Sequence, residues 1–258
     1  MTRKILAALG LAAGLGLGAA QAESLVVGAY PANPPWEFKT ETGEFQGFEV
    51  DLVKEVASRI GRDLEISDMG FQALFAATAS GRIDVAISTV SITEERLQSQ
   101  SFTQGYYDAD LGLVTASDGP VRTLEDMRGQ IVGTLAASSG EAWIRANLEE
   151  KGFSEVRTYP DQNSLLLDVA AGRVAGAIND EYGFQVQASK MRGIEVVETI
   201  PTGDRYALMM TKGSPLLEEV NAAITAMKED GTMAQIYETW LGVPPREDSS
   251  TVTVLPIP

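Results

Sequence analysis

Short apolar runs alternate with segments of helical periodicity along the first half of the chain. Residues 24–29 and 83–87 have the pattern of buried strands. Residues 47–60 and 71–79 carry apolar side chains at the spacing of amphipathic helices. Because strands that alternate with helices are typical of mostly parallel sheets, the pattern predicts an α/β fold.

The second half of the chain repeats this alternation, and one stretch occurs twice. Residues 79–87 and 170–178 both follow the pattern Ala-x-Gly-Arg-aliphatic-x-x-Ala-Ile, which is typical of a helix end, a tight glycine turn and a strand. A stretch that occurs only twice predicts two lobes of similar local construction rather than a solenoid. The polar residues that follow it are Ser88, Thr89, Asn179 and Asp180. Since ligands bind beyond the carboxyl ends of strands in open α/β sheets, we expect these residues to face each other across a cleft.

Two further apolar segments flank the second lobe. Residues 111–115 and 206–211 are strand-like and are candidates for the two connections between the lobes. The predicted units are residues 23–110 with 206–245 for lobe 1, residues 111–205 for lobe 2 and residues 246–258 for a tail. The tail is polar, ends in proline and lacks helical periodicity, so we expect it to be flexible.

The amino terminus has the pattern of a secretory signal peptide. Arg3 and Lys4 precede an apolar run rich in Ala, Leu and Gly, and residues 20–22 (Ala-Gln-Ala) supply a small-residue cleavage site. A transmembrane anchor is the alternative, but the run is short and Gly-rich. The sequence contains no Cys, so neither disulfides nor a cysteine-linked lipid anchor is expected. We therefore expect residues 1–22 to be removed and the mature chain to lie in a Gram-negative periplasm.

The composition narrows the classes of function. The chain has 20 Lys and Arg against 36 Asp and Glu, a net charge of −16. Such a surface repels nucleic acid and anionic membranes, so neither is expected as a partner. His and Cys are both absent, which excludes Ser-His-Asp triads, thiol nucleophiles and His or Cys metal sites. No metal and no cofactor is expected.

Residues 88–96, Ser-Thr-Val-Ser-Ile-Thr-Glu-Glu-Arg, contain the largest concentration of side chains that could bind a ligand. This segment joins a predicted strand end to a predicted helix start. Hydroxyls, helix N-terminal N–H groups and the guanidinium of Arg96 gather there, and this combination suits the capture of a carboxylate. The alternative is an ordinary N-cap by Ser91 or Thr93, with Arg96 on a solvated face. The residues of the segment leave both interpretations open.

Several short motifs follow one another between residues 24 and 242. They are Leu25-Val-Val-Gly28, Pro35-Trp-Glu-Phe38, Gly47-Phe-Glu-Val-Asp-Leu52, Ser91-Ile-Thr-Glu-Glu-Arg96, Phe102 with Tyr106-Tyr107, Thr123-Leu-Glu-Asp-Met-Arg-Gly129, and Asp230-Gly-Thr-Met with Trp240. In their order and spacing they resemble the periplasmic amino-acid-binding proteins, family 3 of the bacterial extracellular solute-binding proteins. The resemblance implies the type II, Venus-flytrap fold, in which two α/β lobes joined by two crossover strands close around a solute.

The resemblance also implies roles for individual residues. Arg96 would clamp the α-carboxylate of an amino acid, with the backbone N–H of Ser91 and the Ser139 position of the second lobe. Asp180 would pair with the α-ammonium, and Phe71 would form a wall beside the ligand side chain. Asp180 is alternatively a helix N-cap, and Phe71 alternatively a core residue. A zwitterion needs one cationic and one anionic clamp, and closure of the lobes would desolvate both.

Two positions depart from the pattern of the family's basic-amino-acid binders. Those proteins carry an acidic residue where this chain has Tyr30, and often an aromatic residue where it has Asn33. With Phe71 and Thr89, these residues predict a pocket that is polar but uncharged. We therefore expect a neutral or polar amino acid, or a related small zwitterion, rather than Lys, Arg or ornithine.

Two classes of function follow from the resemblance. The first is a monomeric binding protein, not an enzyme, that delivers its solute to the membrane permease of an ABC importer. The alternative is a periplasmic cyclohexadienyl dehydratase on the same scaffold, which acts on prephenate- or arogenate-like compounds. That chemistry needs a positioned acid, for which Glu141 and Glu181 are the candidates.

Overall fold

The computed structural model describes residues 23–258, so the predicted signal peptide, residues 1–22, lies outside the described residues. The strands are β1 Ser24–Ala29, β2 Ala32–Asn33, β3 Glu37–Lys39, β4 Phe45–Gln46, β5 Asp63–Asp68, β6 Val85–Ile87, β7 Gln100–Phe102, β8 Tyr107–Ala116, β9 Ile131–Leu135, β10 Glu155–Tyr159, β11 Gly176–Asp180, β12 Ile194–Tyr206 and β13 Met209–Thr211. The helices are α1 Phe48–Arg59, α2 Phe71–Ala79, α3 Glu94–Ser99, α4 Ser139–Ala146, α5 Leu148–Lys151, α6 Gln162–Ala170, α7 Glu181–Lys190, α8 Leu217–Glu229 and α9 Thr232–Leu241. None of these helices is long and apolar enough to cross a membrane.

Each lobe is built on one five-stranded sheet. The strand order is β5-β1-β6-β13-β7 in lobe 1 and β10-β9-β11-β8-β12 in lobe 2, and β2, β3 and β4 form a small separate sheet. In lobe 1, β1 pairs in parallel with β5 and β6, while β13 pairs antiparallel with β6 and β7. Lobe 2 repeats this arrangement, with β8 antiparallel to β11 and β12. The α/β prediction is confirmed, but the sheets are mixed rather than mostly parallel.

The chain crosses between the lobes along two long strands. It leaves lobe 1 through β8 and returns through β12, which pair antiparallel from Tyr107 opposite Tyr206 to Ala116 opposite Ile194. The predicted connecting segment 111–115 lies inside β8. The second connection is β12 rather than residues 206–211, most of which belong to lobe 1. The register of β12 shifts twice and its burial is irregular, so its apolar pattern is weak.

The repeated stretch has the same conformation in both lobes. Gly81 and Gly172 follow α2 and α6 in left-handed conformations, with φ of 69° and 68°. Each glycine N–H donates a 3.0 Å hydrogen bond back to its helix, to Thr78 O and Val169 O respectively. The strands that follow, β6 and β11, are the central strands of the two sheets. The polar residues after them are therefore brought to equivalent places in the two lobes.

The central strand of lobe 1 is buried on both faces. Val85 and Ile87 contact the cluster that contains α1, α8 and α9, whereas Ala86 contacts the cluster that contains Leu74 of α2. Full burial of an aliphatic side chain contributes roughly 1.5–3 kcal/mol, so these contacts fix where the strand ends. The polar residues beyond Ile87 thereby acquire a rigid support.

Residues 246–258 lie against lobe 1 instead of standing free of it. Ser250 N donates to Asp108 Oδ2 at 3.0 Å, and Thr251 Oγ1 donates to the carbonyl of Tyr106 at 2.9 Å. Lys228 Nζ donates to Thr253 O at 3.0 Å. These bonds depend on particular partners elsewhere in the chain, and the polar composition of the segment does not reveal them.

Candidate ligand-binding site between the lobes

A small cavity lies between the lobes, where both central strands end. Its lining residues are Tyr30, Asn33, Phe71, Ser88, Thr89, Arg96, Leu135, Ser138, Ser139, Gln162, Asn179 and Tyr206. The volume of the cavity is about 20 Å³, which is on the scale of a single ordered water. A larger solute therefore enters only if the lobes separate or the lining side chains move.

Arg96 is the cationic residue of this cavity. It lies in α3, whose N-cap Thr93 accepts a hydrogen bond from the Arg96 N–H at 3.2 Å, so the predicted cap is confirmed for Thr93. The guanidinium does not lie on a solvated face. Its Nη1 donates to Ser91 O at 2.8 Å, and its Nη2 donates to Ala137 O of lobe 2 at 2.9 Å. Of its five N–H donors, these bonds use two, which leaves donors for a further acceptor.

The electrostatics of Arg96 favour an anion. Burial lowers the pKa of Arg96 to about 10, while the charges of Asp204 and Glu95 act in the opposite direction. The side chain remains protonated at neutral pH, and its guanidinium lies 5.1 Å from the centre of the Phe75 ring. Its direct hydrogen-bond acceptors are two backbone carbonyls, which carry only partial negative charge, so the half-buried guanidinium can still bind a carboxylate.

Asp180 lies behind the cavity, not among its lining residues. Its Oδ2 accepts hydrogen bonds from Gly183 N and from Trp36 Nε1, both at 2.8 Å, and its Oδ1 accepts from Tyr206 Oη at 2.7 Å. The N-cap interpretation is therefore confirmed, because Gly183 belongs to the first turn of α7. Burial raises the pKa of Asp180 to about 6, against these three hydrogen bonds, which lower it. All three donors are uncharged, and among residues 23–258 no Lys or Arg forms a salt bridge with this carboxylate.

The structure brings most of the other predicted residues to the cavity wall. Tyr30 is buried, and its Oη accepts from Gln162 N of lobe 2 at 3.3 Å. Asn33 Nδ2 donates to Thr89 Oγ1 at 3.2 Å. Phe71 lines the cavity and also belongs to the lobe 1 core, so its predicted contact with a ligand side chain stays a prediction.

Ser139 and Ser91 differ in their positions. Ser139 is the first residue of α4 and lines the cavity, while its neighbour Ser138 caps the helix by accepting from Glu141 N at 3.1 Å. Ser91 is buried outside the lining, where it meets Tyr206 in an isolated β-bridge. Ser91 reaches the site through its carbonyl, which accepts from Arg96.

Ser88 and Thr89 form the floor of the cavity in lobe 1, and their backbone is held by hydrogen bonds to Glu49 of α1. The backbone N–H of Ser88 donates to Glu49 Oε1 at 3.3 Å, and that of Thr89 donates to the same oxygen at 3.0 Å. Thr89 has a φ of 48°, and Ala137 beside the cavity has a φ of 63°, which are strained conformations for residues with a Cβ. Thr89 lines the cavity, and the carbonyl of Ala137 accepts from Arg96.

The sequence interpretation missed some lining residues. Gln162 follows the end of β10, and Tyr206 ends the crossover strand β12. The rule that ligands lie beyond strand ends points to Gln162. The same rule does not identify Tyr206, because the apolar pattern of β12 is too weak to show in the sequence where that strand ends.

The two acids considered for a dehydratase lie outside the inner cavity. Glu141 pairs with Arg145 at 2.6 Å and accepts from Ala137 N at 2.8 Å. Glu181 accepts from Gln185 and Thr199 side chains. Neither carboxyl is among the residues that line the inner cavity. Within residues 23–258, no group of three or more Asp or Glu side chains is arranged to hold a metal ion.

Two lobes on mixed five-stranded sheets, two crossover strands and a polar cavity at the strand ends define a two-lobed solute-binding protein. The chain belongs to the bacterial extracellular solute-binding proteins, family 3, whose family model matches residues 25–243. The resemblance inferred from the motifs is thereby confirmed, as is the type II fold.

Similar proteins include binders of several amino acids. The L-cystine-binding protein TcyJ of Escherichia coli (strain K12) is 28% identical over 227 residues, which cover 85% of this chain and 83% of that protein. The histidine-binding periplasmic protein of Escherichia coli (strain K12) is 31% identical over 232 residues, covering 86% of this chain and 89% of that protein. The solved structure of an ancestral arginine-binding protein bound to arginine has a TM-score of 0.80 and 31% identity, and the match covers 86% of this chain and 100% of that one.

Proposed function

We propose that this chain captures a zwitterionic amino acid between its lobes and delivers it to the permease of an ABC importer. The observation that carries the proposal is the partly buried guanidinium of Arg96, which lines the interlobe cavity and contacts carbonyls of both lobes. A ligand carboxylate is the anion that such a cation lacks. The relatives named for cystine, histidine and arginine support an amino acid as the solute.

Asp180 is the proposed partner of the ligand ammonium. Its carboxylate is buried among neutral donors, so a cation brought by the ligand would complete the charge balance. Because Asp180 lies behind the cavity wall, Tyr206 or Trp36 has to shift for an N–H of the ligand to reach it. Arg96 and Asp180 belong to different lobes, and a ligand that touches both favours the closed arrangement.

The uncharged lining supports a neutral or polar ligand side chain. Tyr30, Asn33, Thr89 and Gln162 present hydroxyl and amide groups, and Arg96 is the charged residue among the lining side chains. A Lys, Arg or ornithine side chain would find no carboxylate in this lining. The match to an arginine-binding structure therefore supports the fold and the zwitterion clamp. We propose the preference for a neutral or polar ligand side chain from the residues that line the cavity.

We propose that the chain works in the periplasm as a monomer and that the permease is its partner. The proposed role is to bind the solute without catalysing a reaction. The names of the relatives support export and solute binding without turnover. The acidic composition supports a chain that does not bind nucleic acid.

A thermal-shift screen of residues 23–258 against the common amino acids tests this proposal. A ligand at 100 times its Kd adds about 2.7 kcal/mol to the stability of the folded state. We expect one neutral or polar amino acid to stabilise the chain, and the matching α-hydroxy acid, which lacks the ammonium, to stabilise it much less. A screen in which no amino acid stabilises the folded chain would reject the proposal.

A further inference from the structure

Glu37 is a buried acid that the proposed site does not use. The residue is 0% exposed, and neither of its carboxylate oxygens has a hydrogen-bond partner among the described residues. Glu37 opens β3 and pairs there with Asn33, which lines the cavity. An ionised carboxylate is strongly disfavoured in such surroundings, whereas a protonated carboxyl is tolerated.

Glu49 of α1 lies beside Glu37, because the backbone N–H of Glu49 donates to the carbonyl of Trp36, the residue before Glu37, at 2.9 Å. Glu49 is also 0% exposed, and it accepts hydrogen bonds from the backbone N–H groups of Ser88 and Thr89 and from the hydroxyl of Tyr106. These donors are the partners that suit a carboxylate. Two neighbouring carboxylates would both be acceptors and would repel each other, but one proton turns Glu37 into a donor for Glu49.

We propose that Glu37 and Glu49 share one proton at neutral pH, and that this protonated pair positions the Ser88–Thr89 segment that forms the floor of the cavity. The effect on ligand binding rests on the function proposed above. The pair acts through the segment it holds, so Glu37 is a positioning residue without contact to the solute.

The charges around the pair favour retention of the proton. Burial first, and then the negative charge of Glu49, raise the pKa of Glu37 well above its usual value, while Ser88 and Asn33 oppose this shift more weakly. Tyr30 and Tyr106 are the other ionisable groups of lobe 1 packed against the pair, and burial raises the pKa of each. Asp180 of lobe 2 adds a further negative charge near Tyr106.

Several contacts of the cavity depend on this support. Ser88 Oγ accepts from Tyr30 N at 3.0 Å, and Thr89 Oγ1 accepts from Asn33 Nδ2 at 3.2 Å. Thr89 holds a strained φ of 48°, which persists only where its surroundings enforce it. Loss of the shared proton would place two negative charges side by side and weaken the bonds of Glu49 to this backbone.

Urea unfolding over a pH series tests the shared proton without any ligand. A raised pKa in the folded state means that folding takes up a proton, so stability falls as pH rises through the window between the unfolded and folded values of Glu37. From about pH 6 to neutral pH, the unfolding constant of the wild type should rise with pH more steeply than that of Glu37→Gln, by an additional factor of about ten per pH unit. Glu41→Gln, at an exposed position of the loop that follows β3, should keep the wild-type slope. Equal slopes for wild type and Glu37→Gln would overturn the proposal.

Infrared spectroscopy of the unmodified chain covers the case in which Glu37→Gln does not fold. The carbonyl stretch of a protonated carboxylic acid should be present at about pH 7, where Asp180, with a pKa of about 6, is mostly ionised. Its absence would overturn the proposal.

Amide exchange tests the positioning role separately. Protection of the Ser88 and Thr89 N–H groups should fall with rising pH in the wild type and stay constant in Glu37→Gln. The same pH dependence in both chains would overturn the positioning role. Because none of these three measurements involves a solute, their failure would leave the proposed transport function untouched.

Discussion

The indole Nε1 of Trp36 in lobe 1 donates a 2.8 Å hydrogen bond to Oδ2 of Asp180 in lobe 2. Both residues are buried, and the same Asp180 oxygen accepts the capping N–H of Gly183. The acid proposed to hold the ligand ammonium is thus also a contact that joins the lobes. Closure and ligand recognition therefore share one carboxylate, and changes around it should affect both.

Trp36→Phe should weaken closure without unfolding lobe 1. The substitution removes the donor to Asp180 but keeps an aromatic ring beside Phe48 and Tyr107, whose centroids lie 5.6 and 4.5 Å from that of Trp36. A hydrogen bond to a charged group contributes about 1.5–3 kcal/mol, so a weaker affinity of that order is expected. Small-angle scattering should show a larger radius of gyration at a given ligand concentration. Trp143→Phe, at a half-buried position packed against the core of lobe 2, is the control, and an equal change in both variants would argue against a specific closure contact.

The pH dependence of ligand affinity should follow the ionisation of Asp180. Burial raises its pKa from 3.8 to about 6, and only the ionised form attracts an ammonium. Affinity for a zwitterion should therefore fall roughly tenfold per pH unit below about pH 6. The stability of the free chain should change in the opposite direction, because a raised folded-state pKa makes the folded form take up a proton in this window. Calorimetry and urea unfolding over the same pH series would separate the two, and an affinity independent of pH from about pH 5 to 7 would contradict the role of Asp180.

Asp180→Asn should discriminate between ligands with and without an amine. The amide carries no negative charge, so binding of the zwitterion should weaken strongly, whereas binding of the corresponding α-hydroxy acid should change much less. The amide oxygen can still accept from Gly183 N, which preserves the helix cap. Titration calorimetry with both ligands measures the difference. Equal losses for the two ligands would assign Asp180 a structural role alone.

Arg96→Ala should abolish ligand binding while the lobes stay folded. Removing one member of a desolvated charge pair costs about 2–5 kcal/mol, which is a loss of more than tenfold in affinity. Arg82→Ala is a matched control, because Arg82 is exposed in the turn before β6. Circular dichroism checks the fold and calorimetry the affinity. Near-normal affinity in a folded Arg96→Ala chain would reject the carboxylate clamp.

The repeated stretch shows how much of the fold the sequence predicts. The apolar runs and glycine turns place β6 and β11, and the strand-end rule then places Ser88, Thr89 and Asn179 at the cavity. Local patterns suffice there because the sequence signature of a strand buried on both faces, like that of a left-handed glycine, spans only a few adjacent residues.

Contacts between distant parts of the chain are not predictable in this way. Tyr206 reaches the cavity from an irregular crossover strand, and Trp36 donates to Asp180 across 144 positions of the chain. Glu37 and Glu49 belong to motifs that carried the family resemblance, but nothing local shows that they lie beside each other. Such pairs depend on how distant elements pack against each other, and this packing cannot be deduced from the local pattern of a single sequence.

Deletion of residues 249–258 should destabilise lobe 1 without changing ligand affinity. Lys228 Nζ donates to Gln104 Oε1, Gly105 O and Thr253 O at 2.8, 2.7 and 3.0 Å, and burial lowers the pKa of Lys228 to about 8. The deletion removes the acceptor Thr253 O, and water can then compete for the two remaining hydrogen bonds of Lys228. Because a polar group that loses its partner in the interior costs about 1–3 kcal/mol, the free energy of unfolding should fall by that amount.

A shorter deletion separates this anchoring from a general effect of truncation. Residues 256–258 follow Leu255, whose N–H donates to Gln104 Oε1 at 3.0 Å, so removing only them keeps the anchoring bonds. Urea unfolding should then give the wild-type stability for the short deletion and a lower value for the long one. Equal stabilities of the wild type and the long deletion would mean that the segment is held too weakly to contribute, as expected of the flexible tail that its composition predicts.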